Sequence, residues 1–82
     1  MKEKIINLVG DSIKDLDVFI DDVFEEKVEE HNILNIVLDS DEVIDLEKVT
    51  EASRIINKIL DKEESIFDNI DELDIYSKEK GE

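Results

Sequence analysis

One histidine and a large excess of carboxylates are the residues that could do chemistry here, and their spacing limits what that chemistry could be. His31 lies in a charged stretch, cysteine is absent, and no serine is placed to be activated by it. A lone turn histidine of this kind reads as a solvent-facing residue, not a general base. Asp39, Asp41 and Asp45 begin like a calcium loop, but the pattern then fails. Val43 holds the third ligand position, Ile44 stands where the sharp turn needs glycine, and Thr50 replaces the bidentate acid. The only glycines are Gly10 and Gly81, so there is no phosphate loop and no dinucleotide fingerprint. Acidic pairs recur along the whole chain, which leaves none of them distinctive as a general acid and base. These patterns argue for no enzyme, no metal and no cofactor.

Charge is more informative. Twenty-five acids against ten bases give a formal net charge of −15. Such a field repels nucleic-acid phosphates and anionic headgroups and attracts cationic partners. Binding to naked RNA is disfavoured, because backbone affinity rests on Lys and Arg displacing counterions. The ordinary reading is a solvated acidic surface on a soluble protein. No apolar run approaches the length needed to cross a bilayer, and Met1–Lys4 leads into Asn7, Asp11 and Ser12 instead of a signal-peptide core. A cytoplasmic monomer that binds no membrane is expected.

Eighty-two residues allow one small domain, and a hydrophobic content of 40%, largely Ile, Leu and Val, can supply its core. Ile6, Val9, Ile13 and Leu16, with Ile5 beside them, predict an amphipathic helix over 2–14, weakened by Gly10. The β-branched and aromatic run from Asp17 to Phe24 predicts a strand. Its parity breaks, because Val18, Ile20 and Phe24 share one phase while Phe19 and Val23 share the other. Either both faces are covered or a bulge resets the register. Glu25 to Asn32 reads as a turn, and Ile33 to Leu38 as the clearest strand, with Leu34, Ile36 and Leu38 on one face.

After the polar break Asp39-Ser-Asp-Glu42, Asp45 is placed to cap a second helix reaching to about Glu64, with Glu47 in its first turn. Its apolar face comprises Leu46, Val49, Ala52, Ser53, Ile56, Ile59 and Leu60. A loop over 66–71 and a short strand at Leu73–Tyr76 complete the domain over 1–77, and 78–82 is a tail expected to fray. The order helix–strand–strand–helix–strand implies an α/β (α+β) fold with two helices on one face of a three-stranded sheet. The first two strands form a hairpin, and the second helix returns the chain so that the third strand runs parallel to the second. Strand order stays open, as does whatever covers the other face.

The segment Leu34-Asn-Ile-Val-Leu-Asp39, the break, then Ile44 to Arg54 and Ile59-Leu-Asp61 resembles the N-terminal domain of the bacterial ribosome maturation factor P family. Asp45, Leu46, Ser53, Arg54, Leu60 and Asp61 match in one ungapped stretch, while Phe19-Ile-Asp21 and Leu73-Asp-Ile75 look like the family's first and third strands. Tyr76-Ser-Lys-Glu79 replaces a Ser-Ser-Pro-Gly segment, and the Sm-like barrel that follows in the family has no counterpart in these residues. The resemblance implies a role in small-subunit maturation, through a basic ribosomal protein and the subunit itself. Arg54 is expected to pair with carboxylates near it. Partner contact is expected at Asp39, Asp41, Glu42 and Asp45, which the pattern groups at one end of the sheet.

Two alternatives share the acidity. An acyl carrier would use Ser40, which follows an aspartate just before a helix, as the attachment site for a phosphopantetheine arm. Carriers continue that motif with Leu or Met, whereas Asp41 stands here, and they are all-helical where Ile33–Leu38 reads as strand. An acidic nucleic-acid mimic would occupy a nucleic-acid-binding protein by charge alone.

Overall fold

Helix α1 (Lys2–Ile13) forms because Ile5, Val9 and Ile13 recur at four-residue spacing, and all three are fully buried. The buried stripe is centred on Ile5 and not on Ile6, which is only half-buried. A single 3-10 turn, Lys14–Leu16, tightens the helix end. Asp17 then reverses the chain in the left-handed region at φ 61°, its amide donating to the Lys14 carbonyl at 3.2 Å. The computed structural model describes residues 2–41, 45–63 and 68–78.

Strand β1 (Phe19–Val28) pairs antiparallel with β2 (His31–Asp39). β1 runs beyond Phe24 into Glu25–Val28, so the expected eight-residue turn shrinks to Glu29 and Glu30. The charge-rich half of β1 lies at a sheet edge, where exposed side chains cost nothing. The parity break is a bulge. Ile20 pairs with Leu38 and Asp22 with Val37, leaving Asp21 as the extra residue. The bulge returns Val23 to the inner face beside Val18, and both are buried.

Helix α2 (Leu46–Leu60) starts at Asp45, as its sequence predicts, and ends earlier than the expected Glu64, with Asp61 as its C-cap. Val49, Ala52, Ile56 and Leu60 are its buried face, and Ser53 and Ile59 flank it. Leu46 departs from the expected stripe: it stands at the helix's first position and is 66% exposed.

Strand β3 (Glu72–Ser77) lies parallel to β2, giving the order β1-β2-β3. Its register is fixed by a reciprocal clamp. The Asp71 amide donates to the Asn32 carbonyl, and the Asn32 amide to an Asp71 carboxylate oxygen, each at 2.8 Å. The Asn32 side-chain amide also donates to the Asn69 carbonyl at 2.8 Å.

The core lies between the helices and the inner face of the sheet, where Leu34, Ile36 and Leu38 of the central strand meet α1 and α2. Each fully buried Leu or Ile contributes about 1.5–3 kcal/mol. The architecture is the expected α+β fold, two helices on a three-stranded mixed sheet. The carrier alternative fails on this point: Ile33–Leu38, which it needs as helix, lies inside β2.

Candidate functional site

Two surfaces carry the distinctive side chains. The first is the end of the sheet where β2 hands over to α2. Asp39, the last residue of β2, accepts a hydrogen bond from the Ser40 amide at 2.7 Å. The Ser40 hydroxyl donates to the Asp17 carbonyl at 2.8 Å, joining this turn to the α1–β1 connection. Asp45 caps α2, its Oδ1 accepting the Glu47 amide at 2.9 Å. A cleft of about 350 Å³ opens here, lined by Asp17, Ser40, Asp41 and Asp45, with Lys14, Lys48, Val18 and Phe19.

The fold therefore brings together Asp41 and Asp45, but not all of the expected acidic set. Asp39 lies beside the cleft without lining it, opposite Phe19 in the β1–β2 register. Glu42 lies outside the described residues. Two lysines enter that no spacing pattern assigns to this end, Lys14 and Lys48, and Lys48 pairs with Asp17 at 3.4 Å. Asp17 and Lys48 are 31 positions apart, and only the packing of α2 against the α1–β1 connection joins them. This end is mixed in charge, with the carboxylates in excess.

The second surface is the face of the sheet away from the helices. On it the register aligns Phe24, Asn35 and Asp74 in one row, and Asp22, Val37 and Tyr76 in the next. Among the described residues, no helix covers it. Phe24, Phe19 and Val28 are 41%, 42% and 44% exposed. Val37 is buried yet stands outside the cluster that the helices cover. Asn35, only 3% exposed, donates from Nδ2 to Glu26 Oε1 and to the Ile33 carbonyl, each at 3.4 Å.

The electrostatics of this face are readable at two groups. Partial burial pushes the Tyr76 phenol above its usual range, and the negative charges of Asp74, Glu26 and Asp22 push it further. A hydrogen bond from Lys2, at 3.2 Å, and one from the Val23 amide, at 2.8 Å, hold the Asp22 carboxyl below its usual range. Sequence reasoning did not single out this surface. Its signal was the broken parity of β1, since one bulge at Asp21 puts Phe19 and Phe24 on the same outer face.

Elsewhere, His31 is exposed at the start of β2. Arg54 has no ion pair among the described residues, contrary to the expectation. It instead lines a shallow depression with Leu46, Glu47, Thr50 and Glu51. Among the described residues, no three His, Asp or Glu side chains gather as a metal site, and no helix is long and apolar enough to cross a membrane.

These features define a two-layer α+β domain with an acidic surface, a mixed-charge cleft at one end and one sheet face that, among the described residues, no helix covers. A family model described as the RimP N-terminal domain matches residues 8–77. The chain belongs to that family, a family of ribosome maturation factors. No curated protein matches it.

Proposed function

We propose that this domain assists assembly of the small ribosomal subunit by binding a basic ribosomal protein directly, as a cytoplasmic, non-catalytic monomer. The observation that carries the reading is the net charge of −15 on a chain of a ribosome maturation family. Ribosomal proteins that grip rRNA are cationic, so an anionic domain attracts them before they meet RNA and is itself a poor ligand for rRNA. Asp39, Asp41, Glu42 and Asp45 are the contact residues of this reading, and the cleft between the α1–β1 connection and α2 is the setting of Asp41 and Asp45.

The test compares two double reversals that change net charge equally. Asp41→Lys with Glu42→Lys is set against Glu63→Lys with Glu64→Lys, after the end of α2. Binding of purified basic small-subunit proteins is measured by calorimetry, with protein-free rRNA in parallel. The first pair is expected to weaken binding by on the order of tenfold more than the second. Equal losses mean that no defined site exists at this end. Tight binding of the unmodified domain to bare rRNA overturns the protein-partner reading.

A further inference from the structure

We propose that the helix-free face of the sheet is a docking surface for a cationic protein segment that also carries apolar side chains. The proposal deepens the reading of a basic protein partner and rests on it, and adds a second contact surface beside the acidic end.

Apolar and aromatic side chains cross this face beside the buried Asn35. Phe24 on β1, Val37 on β2 and Tyr76 on β3 lie on it in adjacent pairing rows, and Phe24 is 41% exposed. An exposed Phe24 beside the part-buried Tyr76 marks a surface that gains by being covered. Its margin is anionic. The same register puts Asp22 and Glu26 on one flank and Glu72 and Asp74 on the other. Among the described residues, two lysines pair with carboxylates of β1, Lys2 with Asp22 at 3.2 Å and Lys78 with Asp21 at 3.7 Å. An apolar strip between acidic flanks complements a segment whose apolar residues sit between lysines or arginines. The upward push on the Tyr76 phenol, from burial and then from Asp74, Glu26 and Asp22, is consistent with those carboxylates converging on the strip.

The two competing occupants are less well matched. A second copy of this chain would bring another net charge of −15 against the same acidic flanks. A nucleic acid would place phosphates there, at the same cost.

The experiment uses the isotopically labelled full chain and two synthetic probes. One is a helical lysine–leucine peptide, and the other is the same peptide with every leucine replaced by serine. Amide shifts are mapped by NMR during each titration, and then for Phe24→Ser and for the double variant Glu26→Lys with Asp74→Lys. All of these substitutions fall on exposed positions, and circular dichroism is used to check whether each variant keeps its fold. With the lysine–leucine peptide, the amides of Phe24, Asn35, Val37 and Tyr76 should move. Affinity should fall about tenfold with Phe24→Ser and by a similar factor with the double reversal. Should Phe24→Ser fail to fold, the double reversal carries the test.

Equal affinity for the lysine–serine peptide overturns the proposal, because charge alone then suffices. Shifts confined to the Asp39–Asp45 end or to the helices overturn it too. So do shifts on this face that appear on raising protein concentration without peptide, since the occupant is then a second copy. If basic small-subunit proteins bind undiminished after Phe24→Ser, this surface is wrong while the proposed function stands. If the lysine–leucine peptide binds as expected and no ribosomal protein does, the surface stands and the proposed function falls.

Discussion

The carboxylate of Asp45 accepts the Glu47 amide at 2.9 Å while its own carbonyl accepts the Val49 amide at 3.0 Å, the geometry of an N-cap. Asp45→Ala removes an acceptor from otherwise unpaired amides and a negative charge from the positive end of the helix dipole. It should destabilise the domain by about 1 kcal/mol in urea unfolding, with Asp45→Ser much milder. Equal losses would mean that the side chain does not cap. This residue was legible in the sequence because a cap is local, an acid placed just before an amphipathic run. The Asp17–Lys48 pair was not legible, since no pattern of spacing reports a contact made by packing distant elements. For the same reason the acidic end looked more uniformly negative in the sequence than it is.

At the scale of elements, period and propensity agreed wherever an element was strongly patterned, as in β2 and α2. They failed where position in the fold decided. Glu25 to Val28 reads as a turn by composition, yet edge position lets a charged run pair as strand β1. The hairpin that results is tight, with Glu29 at φ 50° and Glu30 at φ 73°. Two positive φ values suit the mirror-image turns that match strand twist, but they favour Asn-Gly and disfavour bulkier residues. Replacing Glu29-Glu30 with Asn-Gly should stabilise the domain by about 1–2 kcal/mol, seen as a higher urea midpoint with unchanged slope. No gain would mean that the loop does not hold these angles in solution. In α1, a Cβ added at Gly10 would meet only the Ile6 Cγ2 atom, at 3.9 Å, an ordinary contact. Gly10→Ala should therefore raise stability by about 1 kcal/mol, since alanine loses less backbone freedom on folding. A loss on thermal unfolding would show that α1 is packed more tightly there than the contact implies.

For the whole molecule, charge acts in two opposite directions. A net charge of −15 on 82 residues pushes the folded chain against itself, because compaction brings like charges closer than they lie in the unfolded chain. The ion pairs among the described residues, Lys2–Asp22, Lys48–Asp17 and Lys78–Asp21, are exposed enough that screening them costs little. Raising ionic strength from about 0.01 M to about 0.15 M shortens the screening length from about 30 Å to about 8 Å. Over that range the melting temperature of the free domain should rise by a few degrees. The association rate with a basic small-subunit protein should fall by on the order of tenfold or more, because that rate depends on the long-range field which the salt removes. Circular dichroism melts and stopped-flow mixing on the same samples test both halves. A melting temperature that falls with salt would show that local pairs outweigh self-repulsion. An association rate indifferent to salt would remove electrostatic attraction from the partner mechanism and leave the apolar strip of the sheet to account for binding.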